Sequence, residues 1–387
     1  MSETIRGVNP RMLRWARELA GVSVADVAHR IKKSEELITA WESGAEAPTY
    51  AQLEQIACHY RRPVALFFFP EPPEERDPVR EFRTLPDFER DQLERDTRYA
   101  LRQAEAMRLS LQELNDGVNP SPEKIFRDIT LTSCEHPRQL AEMVRDYLGV
   151  SMTLQASWKS SDDAFQQWRT LIQNKGIFVF KRSLKQRDIS GFCLMDSEFP
   201  LIYINNSTSS SRQSFTLFHE LAHILLRTSG VTKQNDRFID MLPRPEKEIE
   251  VFANQFASEC LVPSADFNAH FEPGAYDDET LARLAQRYRV SREVILRNYL
   301  NRGLVDRDFY ELKAEEWTRQ YEESRGEGSG GNYYATQAVY LGDKYLQLAF
   351  RRYYEGRFDV GQLADYLNVK ASSVAGLEQF VLKGAID

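Results

Sequence analysis

Five residues, His219-Glu220-Leu221-Ala222-His223, restrict what this chain can fold into more than any other part of its 387 residues. Two histidines four positions apart share a face on an α-helix. There they stand about 40° apart around the axis and one turn along it. The flanks, Phe215-Thr216-Leu217-Phe218 and Ile224-Leu225-Leu226-Arg227, are largely apolar, so this helix is expected inside a core. Each polar side chain it carries then needs a partner. The bland partners are other core polar groups. The chemical one is a metal ion bound by both imidazoles, with Glu220 beside it to hold a water on the metal rather than the metal itself. Zinc in such a place acidifies its water. The glutamate takes the proton as hydroxide attacks a carbonyl, and later passes it to the leaving amine.

A catalytic zinc keeps three protein ligands and one open position. Downstream of the motif lie Asp236, Asp240, Glu246, Glu248, Glu250 and His270. The stretch 246–262 predicts a helix whose apolar arc holds Ile249, Ala253, Phe256, Ala257, Cys260 and Leu261. Glu250 sits at the edge of that arc and Glu248 points outward. Glu246 also faces inward if the helix starts early enough, so helical geometry leaves both Glu246 and Glu250 open. The alternative for either is a solvated carboxylate in a first helical turn, where the helix dipole favours it.

The period changes ahead of the motif. Residues 164–174 read as a helix ended by Gly176. Ile177-Phe-Val-Phe180, Ser190-Gly-Phe-Cys-Leu-Met-Asp196 and Leu201-Ile-Tyr-Ile-Asn205 read as strands. Segments 277–287 and 291–301 read as helices beyond it. From about Ala164 to Phe267 the chain resembles the ImmA/IrrE family of HExxH metallopeptidases. The run from Arg212 through His219, Glu220 and His223 to Leu226 carries the resemblance, with Glu250-Val-Phe-Ala-Asn254-Gln-Phe-Ala257 on to Pro263 and the two strands just before the motif. It implies Glu250 as the third metal ligand, Glu220 as general base, Zn2+ as cofactor, and a helix-turn-helix repressor as protein substrate. Cys260 stands where many relatives carry an aliphatic residue, a conservative change for packing. Arg212, two turns before His219 on the same face, is read as a helix cap ahead of a substrate contact. Leu201 to Asn205 is either an edge strand on which an extended peptide pairs, or a buried central strand.

Four short helices are expected before residue 70. Pro10 opens the first, which ends at Gly21. Ser23 caps the second and Ser34 the third, which stops at Gly44. Pro48 and Thr49 start the fourth. Residues 9–69 resemble the Xre/lambda-repressor-like helix-turn-helix domain. A recognition helix presents its N-terminal end to DNA, which points to Lys32, Lys33, Ser34, Glu35 and Thr39, with Arg14, Arg17 and Arg30 adding positive charge. Glu35 and Glu36 oppose phosphate unless they read cytosine amino groups. A helix-turn-helix kept for protein contacts is the alternative.

Composition sets the outer limits. The chain is 42% hydrophobic and 28% charged, enough for real cores. A net charge of −8 leaves no global footprint for nucleic acid, so any DNA contact must be local. Cys58, Cys134, Cys193 and Cys260 form no CxxC pair, which argues against a disulfide framework or a Cys-based zinc site. With no long apolar run and no basic-then-apolar start, the expectation is a cytoplasmic protein that touches no membrane. After Pro86 one long helix is expected. The fold class is mostly α and multidomain: an all-α helix-turn-helix domain over 1–72, a helical linker region over 73–150, an α+β zincin-like metallopeptidase domain with a small sheet over 151–305, a flexible linker over 306–332, and a helical C-terminal domain over 333–387. The function expected is a zinc metalloendopeptidase, active or held latent. The alternatives are a DNA-binding transcriptional regulator with a sensing or inert peptidase-like domain, or one component of a toxin–antitoxin-type pair.

Overall fold

The structure, a computed structural model, describes residues 4–73, 93–129, 136–186, 188–233, 239, 241–324 and 332–384. It forms two compact units, Met1–Glu105 and Ala106–Asp387. The architecture is the one expected: mostly helical, with one four-stranded sheet among the described residues, in the second unit.

In the first unit α1 (Pro10–Leu19), α2 (Val24–Ile31), α3 (Glu35–Ser43) and α4 (Tyr50–Tyr60) start where capping residues stand. Asn9, Ser23, Ser34 and Thr49 each accept a hydrogen bond from a backbone N–H of the first turn. A 3-10 turn, Val64–Phe68, is the fifth helical element. Met12, Val27, Ile38, Trp41, Leu53 and Phe67 meet in the core. Arg17 does not supply free positive charge as expected. Its guanidinium grips Glu42 through Nε at 2.6 Å and Nη2 at 3.0 Å, and donates to the Val22 carbonyl. Glu42 is buried, and a buried carboxylate needs this charged partner.

In the second unit β1 (Phe178–Arg182), β3 (Leu201–Asn205), β2 (Ile189–Leu194) and β4 (Gly230–Lys233) lie side by side in that order. β1 pairs parallel to β3, β3 antiparallel to β2, and β2 antiparallel to β4. Leu201 to Asn205 is therefore a central strand, not an edge. All five of its residues are buried, as covering on both faces requires. The edge beside the motif helix is β4, a strand with no alternating pattern to betray it in the sequence.

The motif helix (Ser210–Leu225) crosses β2, β3 and β4. Its close approach needs Gly191 on β2, where an added Cβ would stand 2.6 Å from the Thr216 methyl group. On its other side pack helix Ser161–Asn174 and the glutamate helix (Arg244–Leu261). Trp168 joins these layers. It is 1% exposed, with ring centroids 4.9 Å from both Trp158 and Phe218, edge-on to each. Trp168→Ala is expected to destabilise this unit by about 3–5 kcal/mol, read as a lower midpoint in urea unfolding followed by tryptophan-independent circular dichroism.

Helices Asp278–Tyr288 and Arg292–Asn301 follow as expected. Arg307–Ser324 is also a helix, inside the stretch expected to link domains. Its helix-forming residues carry Trp317, which is buried in the same core, and that contact overrides the high charge around it. Residues 325–331, the glycine-rich part of that stretch, lie outside the described residues. The expected long helix after Pro86 runs as Arg95–Leu114, and 74–92 lie outside the described residues. The C-terminal helices pack on the sheet: Tyr345 stands edge-on to Phe180 of β1, and Arg169 donates to the Val339 carbonyl.

Candidate metal centre

Ser209 caps the motif helix by accepting from the Arg212 N–H. Ten residues further on, both motif histidines and Glu220 turn into the core, each no more than 1% exposed. The glutamate helix brings Glu250 to the same point, also 1% exposed. One ligand atom from each of His219, His223 and Glu250 lies within 4.8 Å of the others. The two Nε2 atoms are 3.1 Å apart. Glu250 Oε2 lies 3.2 Å from His219 Nε2, and Oε1 lies 3.4 Å from His223 Nε2.

The other candidates for the third ligand separate cleanly. Glu248 is exposed and pairs with Arg244 at 2.9 Å. Glu246 is half-buried and outside the cluster. His270 Nδ1 donates locally to the Asp266 carbonyl, 2.8 Å away. Asp236 and Asp240 lie outside the described residues. Ile249, expected in the apolar arc, is only half-buried, while Glu250 is fully inside. The arc is rotated slightly so that the carboxylate faces the histidines.

The outer nitrogens are fixed by partners. His219 Nδ1 lies 2.9 Å from Asn254 Oδ1, an acceptor, so this nitrogen carries the proton. His223 Nδ1 lies 3.2 Å from Thr228 Oγ1. Both Nε2 lone pairs then face Glu250. Three acceptor groups converging in a buried core repel one another unless a cation lies among them. The residues therefore fit a divalent metal such as zinc, two imidazoles and one carboxylate being a regular catalytic set.

The charge states of His223 and Glu250 agree with that fit, whereas at His219 a metal would have to take the place of a proton. Burial drives His223 down to about 4, which keeps it a neutral ligand. At His219 burial acts in the same sense, but the hydrogen bond and charge of Glu250 outweigh it and the ring is drawn toward its charged form. Burial lifts Glu250, yet the two histidines hold it below its ordinary value. Glu220 is pushed up by burial to about 7, against the pull of His219 and of Thr232. Its Oε1 accepts from the Thr232 hydroxyl. Its Oε2 is buried and accepts no hydrogen bond among the described residues. That oxygen can take a proton from a water in the site.

A cleft of about 1180 Å³ runs past Asn254, the partner of His219, and is lined by Arg212, Phe215, Val251, Gln255 and Tyr310 among others. Arg212 lies along it, with Nε 3.4 Å from Ser190 Oγ.

Sequence reasoning named His219, Glu220, His223 and Glu250. It missed Thr228, Gly230 and Thr232, which follow the motif helix without any pattern of their own. Asn254, within the run from Glu250 to Pro263, had no role legible in the sequence.

In the first unit Lys32, Lys33, Ser34, Glu35 and Thr39 are all exposed around the start of α3. Ser34 Oγ accepts from the Leu37 N–H, and Thr39 Oγ1 donates to the Glu35 carbonyl at 2.9 Å. These two hydroxyls are thus engaged within the helix, while the two lysines project from the turn. Glu36 stands exposed beside them.

Residues 172–299 match the family model described as IrrE N-terminal-like domain, and residues 11–67 match that described as Helix-turn-helix domain. Both resemblances drawn from the sequence are thereby borne out. No curated protein matches the chain.

Proposed function

We propose, for a chain that carries an N-terminal helix-turn-helix domain and an IrrE N-terminal-like peptidase domain, that it is a zinc-dependent endopeptidase acting on a repressor-type protein. The observation that carries this reading is the buried convergence of His219, His223 and Glu250 beside the Glu220 carboxylate, one oxygen of which accepts no hydrogen bond among the described residues. Zinc bound there supplies Lewis-acid polarisation of a carbonyl and acidifies water. Glu220 Oε2 accepts a proton from the attacking water as the carbon–oxygen bond forms. It then delivers that proton to the amide nitrogen as the carbon–nitrogen bond breaks. Thr232 holds the other carboxylate oxygen so that Oε2 stays aimed at the reacting atoms. The repressor-type substrate rests on the resemblance to the ImmA/IrrE family. A cytoplasmic setting is supported by Cys58, Cys193 and Cys260 standing as free thiols.

The test is the metal content of the purified full chain after incubation with zinc and gel filtration. About one zinc per chain is expected, removed by a strong chelator with loss of any cleavage. A chain that retains no zinc overturns the reading.

A second reading, a DNA-binding regulator, is favoured by the exposed Lys32 and Lys33 at the start of α3. If that surface meets phosphate, log affinity for DNA falls with log salt, and Lys33→Ala flattens the slope by about one. Fluorescence anisotropy over a salt series checks it, and a slope equal to wild type removes Lys33 from the interface.

A further inference from the structure

We propose that the return segment after the motif helix, Thr228–Thr232, orients the metal site, with Thr228 as the positioning residue that sets the tautomer and direction of His223. This rests on the zinc reading above. The motif helix ends with Arg227 in the left-handed region at φ 56°. The Arg227 N–H donates to the Ile224 carbonyl at 3.0 Å, and the Thr228 N–H to the His223 carbonyl at 2.8 Å. That pair of bonds is a Schellman cap, which folds the chain back over the last turn. Thr228 is thereby laid against the very residue whose carbonyl it caps.

Its side chain completes the contact. Thr228 Oγ1 donates to the His223 carbonyl at 3.2 Å. With its hydrogen so engaged, the same oxygen accepts from His223 Nδ1, also 3.2 Å away. The proton is held on Nδ1 and the Nε2 lone pair faces Glu250. The segment is anchored on both sides: Ser229 Oγ accepts from the Met195 N–H at 3.0 Å, and Gly230 pairs with Cys193 of β2. Gly230 forms the floor under the ring. A Cβ there would stand 2.8 Å from His223 Cδ2 and 2.9 Å from Cγ, so only glycine lets the imidazole keep this place. Two residues on, Thr232 grips Glu220. One short segment thus touches a ligand at its outer nitrogen, supports its ring, and holds the base.

Partners of this kind on metal-bound histidines are worth about 10- to 100-fold in metal affinity. The full-length chain is prepared with selectively 15N-labelled histidine as wild type, Thr228→Val and Thr228→Ser, with His223→Gln to assign the resonance. Two readings are taken: the His223 tautomer by nitrogen NMR of the metal-free protein, and zinc affinity by competition with a chelating dye. The expected result is the Nδ1–H form of His223 in wild type and Thr228→Ser, lost in Thr228→Val. A fall of about 10- to 100-fold in zinc affinity is expected for Thr228→Val alone. Thr228→Val with an unchanged His223 tautomer overturns the proposal, as does an unchanged zinc affinity. If wild type holds the Nδ1–H form through Thr228 but binds no zinc, the orienting contact stands and the zinc reading falls. The serine variant separates loss of the hydroxyl from loss of packing.

Discussion

Glu220→Gln is expected to leave zinc bound and to cut peptide-bond cleavage by at least about 100-fold, the low end of what a positioned acid–base group contributes. Glutamine has nearly the same shape, and its carbonyl oxygen can still accept from Thr232, so the core around it survives. What it cannot do is take a proton. His219, His223 and Glu250 are untouched, so metal content should match wild type. The measurement is mass spectrometry of a proteome-derived peptide library incubated with the zinc-loaded full chain, counting new N-termini. N-termini released at the wild-type rate by Glu220→Gln would end the peptidase reading. The pH dependence has a definite sign. Glu220 must be ionised to act as base, and burial, outweighing the pull of His219 and Thr232, places it at about 7. A bound dication favours the carboxylate, so the acid limb of the rate falls below pH 7. Cleavage is lost as pH drops through that limb and is fully present above it.

Glu250→Ala is expected to weaken zinc binding by more than about 100-fold, beyond what loss of an outer partner costs, while Glu246→Ala leaves it unchanged. Glu250 places its two oxygens 3.2 and 3.4 Å from the histidine nitrogens. Glu246, one turn earlier, is half-buried and outside the cluster. Chelator competition reads the affinity, and far-ultraviolet circular dichroism confirms that both variants fold. Zinc held by Glu250→Ala and lost in Glu246→Ala would reassign the third ligand.

The elements that local chemistry controls were legible before the structure. Ser23, Ser34 and Thr49 cap helices because their oxygens accept first-turn N–H groups, whatever lies around them. The motif helix was legible because a four-residue spacing and apolar flanks make sense only on a buried helix. The proposal of a metal site there followed from the same spacing. Glu250 was narrower: helix geometry left it level with Glu246, the resemblance favoured it, and the burial of its carboxylate beside both histidines agrees.

Other features had no local signature. Leu201–Asn205 was open between edge and centre, because an apolar strand of five residues reads the same in either place; its parallel pairing with β1 makes it central. β4 went unseen, being four residues long and partly polar. Arg307–Ser324 was taken as linker, because Trp317 reveals its burial only once the core it enters exists. Arg17 counted as surface charge until Glu42 was found buried against it.

The sequence by itself determined most of the helices, where many of them start, and that two histidines share a helix face with a glutamate next to one of them, since these follow from spacing and capping within a few residues. Only the tertiary structure decided where the glutamate helix points its carboxylate, which strand lies at the edge, and that Thr228, Gly230 and Thr232 surround the centre. Those contacts depend on how a left-handed cap at a non-glycine residue turns the chain, and on which face of one helix meets another. Both are set by packing across the whole core rather than by neighbours in the chain.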